Sequence, residues 1–246
     1  MTISYALVTG ANQGIGYEIV RGLGKIGFTP ILGCRSISKA KEAAEKLATE
    51  DNLKVEVVEL DVTSDKSILA ARDAVETLCR QNSGSFDLLV NNAGIMGDPS
   101  RPVREYFAMV FETNVTSVAV MMDTFIPLLE KSQNPAGGHI INVGSTRGSL
   151  SLSAAGKLPL SPIHPYSTSK AAANLLSIDY ARNWEGKVRI NLVCPGHCST
   201  NLNGHRGHKS PEDGAKVVLQ VAADPNVGSI GYYQLEGTEK YTPAPS

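Results

Sequence analysis

The chain has 246 residues, 23 of them basic and 24 acidic, and 42% are hydrophobic. One α/β domain of this length can bury roughly 70–75% of its unfolded surface. The balanced charge argues against a nucleic-acid or anionic-membrane partner. No run approaches the roughly 20 apolar residues of a membrane helix. The start, Met1-Thr2-Ile3-Ser4-Tyr5, lacks a basic segment before a long apolar run, so no secretory leader is expected.

Strand-like and helix-like segments alternate along the chain. Residues 5–8 form a short apolar strand and 14–26 a helix. Residues 29–33 read as a strand, and 38–48, rich in Ala, Lys and Glu, as an exposed helix. A strand at 55–60 precedes a helix at 65–80, where Ile68, Ala71, Val75 and Leu78 fall on one stripe. After a strand at 86–90, residues 103–130 read as one long helix. A fifth strand is expected at 139–143, a helix at 166–183 and a sixth strand at 188–193. Ser210-Pro211-Glu212-Asp213 reads as a capped helix start, and 231–235 as a last strand. This alternation predicts an α/β fold: a Rossmann-type, doubly wound parallel sheet of about seven strands, helices on both faces, in a single domain over 1–246. Two polar loops, 147–165 and 197–209, follow strand C-termini, where open α/β sheets bind ligands.

The first strand runs through Thr9-Gly10-Ala11-Asn12-Gln13-Gly14-Ile15-Gly16 into a helix. Glycines allow a tight turn and close approach of a pyrophosphate, which the helix N-terminus attracts. The second strand ends in Cys34-Arg35-Ser36, without the acid that binds the adenosine ribose hydroxyls of NAD. An arginine there favours the extra phosphate of NADP(H).

Tyr166 and Lys170 are four apart and share a helix face. A neighbouring ammonium favours a phenolate, so the pair is expected to tune Tyr166 for proton transfer. Ser145 follows the fifth strand, and Asn114 sits within a helix, where its propensity is poor. Asp61-Val62, Asn92-Ala93-Gly94 and Pro195-Gly196 follow the third, fourth and sixth strands.

The Thr-Gly-x-x-x-Gly-x-Gly spacing, the Tyr-x-x-x-Lys pair and the ordered strand-end residues resemble the short-chain dehydrogenase/reductase family, in its one-domain, carbonyl-reductase-like branch. The resemblance spans about residues 5–231. It implies that Tyr166 is the acid/base and that Lys170 lowers its pKa and binds the nicotinamide ribose. Ser145 would polarise the carbonyl, and Asn114 would hold a water behind Lys170. Gly10, Asn12, Gln13, Gly14, Ile15 and Gly16 would bind the pyrophosphate side, with Arg35 and Ser36 on the phosphate of NADP. Asp61 and Val62 would flank adenine, Asn92, Ala93 and Gly94 the ribose region, and Pro195, Gly196 and Thr200 the nicotinamide end. The partners implied are a small carbonyl or alcohol substrate and further copies of the chain in a homodimer or homotetramer.

Three departures concern substrate and assembly. The Ser145–Tyr166 interval is longer than is usual in the family, the 196–210 lid is short, and 231–237 lacks a Val-Asp-Gly-Gly ending. Leu150, Leu152, Leu158, Leu160 and Ile163 in the longer interval need cover, either as an apolar wall for an apolar or aromatic substrate or by packing on the domain body or a partner subunit. Cys34, Cys79, Cys194 and Cys198 read as free thiols of a cytoplasmic protein. No metal site is expected, since Pro195 and Gly196 separate Cys194 from Cys198 and His197, His205 and His208 read as solvated loop residues. A catalytically idle dinucleotide-binding scaffold or redox sensor is the alternative on this fold, and intact Tyr166, Lys170 and Ser145 favour the enzyme.

Overall fold

In strand β1 (Ile3–Thr9), successive side chains enter opposite cores: Ala6 and Val8 face one, Tyr5 and Leu7 the other. Burial on both faces is what makes these strands continuous apolar runs and keeps them parallel. The computed structural model describes residues 2–229, 231–234 and the backbone of 242–243. The other strands are β2 (Thr29–Cys34), β3 (Glu56–Glu59), β4 (Gly84–Asn91), β5 (Gly138–Val143), β6 (Val188–Cys194), β7 (Gly231–Gln234) and β8 (Thr242–Pro243).

The sheet order is β3-β2-β1-β4-β5-β6-β7-β8. The pairings from β3 to β7 are parallel, as expected, and β8 adds an antiparallel edge. The order reverses between β1 and β4, so their C-terminal ends open the crevice where such sheets hold ligands. Leu235 of the expected last strand lies outside the described residues.

Helices α1 (Gly14–Lys25), α2 (Ile37–Asp51) and α8 (Pro211–Ala223) cover one face. Gly22 lets α1 meet α8 closely, since a Cβ there would lie 2.2 Å from a Leu219 methyl. Helices α3 (Asp65–Gln81), α5 (Ser117–Leu129) and α7 (His164–Asn183) cover the other. Ile68, Ala71 and Val75 are buried on α3, as their spacing predicts. Ser210 caps α8, accepting from Asp213 N at 3.0 Å.

Two expectations are corrected. Residues 103–130 are not one regular helix: α4 (Val103–Phe111) passes into a π turn (Glu112–Thr116) before α5. The Ser117 backbone N–H donates to Glu112 O, five residues back, which is the wider π repeat, and the Ser117 hydroxyl donates to the same oxygen at 2.8 Å. The 147–165 segment is not all loop. A 3-10 turn (Thr146–Gly148) leads into α6 (Leu150–Ala154), capped by Ser149, and α7 begins at His164.

Candidate active site

The glycine turn is held from the neighbouring strand. Gly10 (φ +63°) and Gly14 (φ +60°) use the left-handed region, which costs glycine nothing. A Cβ on Gly16 would stand 2.5 Å from Asn92 Nδ2 and 2.7 Å from Gly10 O, so no other residue fits there. Asn92 Nδ2 donates to Thr9 O at 2.9 Å and to Gly10 O at 3.3 Å. In return, Thr9 Oγ1 accepts from Asn92 N at 3.0 Å and Ala93 N at 2.9 Å. Thr9 therefore locks two strand ends together. In the sequence it stands only as the first residue of the glycine motif. Its signal was a hydroxyl one residue before the first glycine.

At the start of α1, Gln13 is extended and its side chain caps nothing, and the first turn carries no acid. The Gln13 amide instead accepts from Asn201 Nδ2 of the 197–209 lid at 2.8 Å. Thr200 lies over the turn, its methyl 3.5 Å from where a Gly14 Cβ would stand. Ile15 packs against the α1/α8 core, and Asn12 is half-buried.

Arg35 is exposed at the end of β2, and Ser36 caps α2 beside exposed Lys39. The Asp61 carboxylate is taken by Thr63, accepting from its N at 3.0 Å and its hydroxyl at 2.8 Å. Val62, Thr9, Asn91 and Ala93 line a small cavity between β1, β4 and α5. Gly196 (φ +81°) follows β6 and Pro195.

The π turn aims Asn114 inward. Its Oδ1 accepts from Ile95 N at 2.9 Å, and its Nδ2 donates to Ile95 O at 2.9 Å and Ser169 Oγ at 3.0 Å. The amide is thus spent on fixing the 92–95 turn against α7. Ile95 and Ser169, both missed in the sequence, are its partners, and neither residue type carries a chemical signature. A Cβ on Gly94 would lie 3.4 Å from Asn114 Oδ1 and 3.7 Å from Lys170 Nζ, so the three residues converge.

Lys170 is buried and donates to Val143 O at 2.8 Å. Burial pushes its ammonium down to about 8. Tyr166 is half-buried, and Lys170 Nζ lies 5.8 Å from its ring centre. The expected lowering of the phenol by Lys170 is not what this arrangement gives. Burial pushes Tyr166 up to about 12, against the pull of a hydrogen bond with Ser145 and of the Arg147 charge. Ser145 Oγ also accepts from Arg147 N at 3.2 Å. From beneath, Cys194 Sγ accepts from Thr146 N at 3.3 Å.

Tyr166, Lys170, Ser145 and Asn114 are therefore gathered around the ends of β4, β5 and β6, and the glycine turn lies beside them. All four cysteines are unpaired. Among the described residues, no group of three or more His, Cys, Asp or Glu side chains is placed to hold a metal. Nor is any helix there long and apolar enough to cross a membrane.

A family model described as short chain dehydrogenase matches residues 4–211. A protein named short-chain dehydrogenase anuI, from Penicillium roqueforti, is 36% identical, over 91% of this chain and 90% of its own. The structure of salutaridine reductase from Papaver somniferum superposes with a TM-score of 0.79 at 27% identity, covering 93% of this chain and 98% of its own. That of NADPH-bound carbonyl reductase from chicken fatty liver gives 0.80 at 25%, covering 95% and 97%.

Proposed function

The chain belongs to the short-chain dehydrogenase family of oxidoreductases, and we propose that within it this protein uses NADPH to reduce a ketone or aldehyde to an alcohol, or runs the reverse. The observation that carries this reading is the convergence of Tyr166, Lys170 and Ser145 beside the glycine turn.

The residues present fit a dinucleotide. The uncapped start of α1, free of acids, suits a diphosphate held by the 10–16 turn. Exposed Arg35, with Ser36 and Lys39, suits the extra phosphate of NADP. Asp61 and Val62 would border the adenine, and Asn92, Ala93 and Gly94 the ribose region. Pro195, Gly196 and Thr200 would border the nicotinamide end, with Tyr166 and Lys170 on its ribose. The chicken carbonyl reductase, whose structure contains NADPH, supports the same cofactor.

Bound NADPH supplies the hydride. The chain supplies the proton and its control. Ser145 Oγ hydrogen-bonds the substrate oxygen, and Tyr166 gives that oxygen its hydroxyl proton as negative charge develops there. A phenol pushed up to about 12 keeps its proton at neutral pH, which is the form reduction needs. Lys170, held by Val143, places a cation beneath the phenol as it gives up that proton. Asn114 holds Ile95 and Ser169, and so keeps α7 in register with the 92–95 turn.

We assign the substrate an apolar or aromatic body, supported by exposed Leu150 and Leu160 in the segment before α7. One domain over residues 1–246, a cytoplasmic location and a homodimer or homotetramer belong to the same proposal. The test is NADPH consumption against a panel of ketones, quinones and aldehydes, repeated with NADH. Arg35→Asp should weaken NADPH about ten- to a hundredfold, the worth of a charged hydrogen bond. Equal use of NADH by the wild type would refute the cofactor preference, and no turnover with any member of the panel would refute the reaction.

A further inference from the structure

The segment between Ser145 and α7 poses a mechanical problem. Leu160 at its far end is fully exposed, at 104%, and Leu150 on α6 is 76% exposed. Leu160 gains no burial and Leu150 little, so only the half-buried Leu152, Leu158 and Ile163 hold down by packing a segment that borders Ser145 and Tyr166. With so little apolar packing, a polar tie decides how firmly the segment is held.

The fixed point is the 3-10 turn. Gly148 has no room for a side chain: a Cβ there would lie 2.6 Å from Lys170 C, 2.7 Å from Ala171 N and 2.8 Å from Lys170 O. The turn is thus seated on the backbone that carries Lys170. Thr146 N is anchored on Cys194 Sγ at 3.3 Å, and Arg147 N on Ser145 Oγ at 3.2 Å. From this rigid base the Arg147 side chain reaches twelve residues along the chain and donates from a terminal nitrogen to Pro159 O at 2.6 Å.

Building on the carbonyl-reductase reading above, we propose that Arg147 is a positioning residue that sets substrate specificity: it fastens the 149–163 segment to the Ser145 turn, so that the segment's apolar side chains form the wall for the substrate's apolar body. The guanidinium suits this task. Its planar fork leaves less freedom per bond than a lysine ammonium. Its charge also favours the ionised form of Tyr166, as expected of a cation near that hydroxyl. One residue would therefore join the segment that selects the substrate to the groups that transform it.

Arg147→Met, Arg147→Lys and the control Lys157→Met, made in the full chain, test this. Lys157→Met removes an equal charge from the same segment and leaves the Arg147 bond in place. The first readout needs no turnover: hydrogen–deuterium exchange over 149–163. Arg147→Met should raise it about tenfold, Arg147→Lys by less, and Lys157→Met not at all. The second is the KM–kcat split with NADPH and two probes, phenanthrenequinone and butanone. Arg147→Met should raise KM for the quinone about tenfold and for butanone about twofold or less, since the small ketone does not need the wall. Arg147→Lys should lie between.

Unchanged exchange in Arg147→Met overturns the proposal. So does an equal rise in KM for both probes, which is the signature of a general structural loss. If the wild type reduced neither probe, the reductase reading would fail at these substrates, and the exchange experiment would still decide whether Arg147 fastens the segment.

Discussion

The ends of β1 and β4 and the long segments after β5 and β6 meet at one edge of the sheet, but backbone and side chains share the work differently in them. At β1 and β4, positions are enforced by backbone: Gly16 admits no Cβ, Thr9 and Asn92 exchange bonds with main-chain groups, and the elements behind them are buried. After β5 and β6, backbone contacts fix only the bases of the segments, at Gly148 and at the Ser199 N bond to Lys209 O, and exposed side chains tie down the rest. Arg147 reaches Pro159, Asn201 reaches Gln13, and Leu150 and Leu160 face solvent. A backbone-built site tolerates little change, whereas a side-chain-built one can be altered one residue at a time. The contrast suits the proposed division of labour, with the first region holding a dinucleotide and the second meeting the carbonyl substrate.

Tyr166 lies where the two regions meet, and its loss has the largest expected effect. Tyr166→Phe keeps the ring and removes the hydroxyl. It should lower kcat about 10²–10⁴-fold, the usual worth of a positioned acid. Dinucleotide binding, followed by fluorescence titration, should persist, because the glycine turn is built without Tyr166. Near-normal turnover would move the proton transfer to another group.

Lys170 allows a test with an opposite sign for stability. Its ammonium is pushed from an ordinary 10.5 down to about 8 by burial. The folded chain therefore binds fewer protons than the unfolded one between about pH 8 and 10.5, and stability from this group rises with pH across that window. Below about 8 the cost of the buried charge is present in full. Lys170→Met removes that cost, up to about 3 kcal/mol, and loses the bond to Val143 O, about 1 kcal/mol. The variant should be inactive, more stable than wild type at pH 7, and should lose that advantage by pH 10. Urea midpoints at the two pH values measure this. A less stable variant at pH 7 would mean that the ammonium is not buried at a cost.

Gly16→Ala probes the backbone-built side. The new methyl would stand 2.5 Å from Asn92 Nδ2 and 2.9 Å from Ala11 Cα, and neither can retreat freely. Overpacking of this kind costs about 1–3 kcal/mol. Dinucleotide affinity should fall with stability, because the same contacts shape the turn. Calorimetric unfolding and a binding titration on one preparation would show both. A variant as stable as wild type would mean that this edge is less constrained than its contacts indicate.

Most of the fold was legible in the sequence because continuous apolar runs alternate with segments of helical period. The buried runs of β1, β2 and β4 and the Ile68–Ala71–Val75 stripe left few alternatives. The glycine turn and the Tyr166–Lys170 pair were legible because their chemistry demands fixed spacing. The π turn at 112–116 was not: it adds one residue to a helix without a distinct composition, and only the ill-suited Asn114 marked it. Helix α6 was hidden in a Ser/Ala/Leu stretch too short to show a period. The rise of Tyr166 was not legible because spacing gives a neighbour's charge and not the burial that opposes it. Thr9, Ile95 and Ser169 were missed because their roles lie in partners remote in sequence.

The smallest effect belongs to the surface-built side. Leu160→Ser changes a side chain that is 104% exposed, so folding stability should shift by no more than about 0.5 kcal/mol. Substrate choice should nevertheless respond, if the segment is an apolar wall. Burying a leucine side chain against a ligand is worth about 1.5–3 kcal/mol when complete, and a wall open to solvent gives only part of that. A two- to fivefold fall in kcat/KM for an aromatic ketone is therefore expected, with little change for a small keto acid. The wild type should prefer the aromatic compound of the two. A preference for the keto acid would mean that the leucines pack on a neighbouring copy and that Arg147 meets a charged substrate. An equal fall for both substrates would mean that the serine has caused a general structural loss. An unchanged ratio in an otherwise intact variant would remove Leu160 from the wall and leave Leu150 and Leu152 to form it.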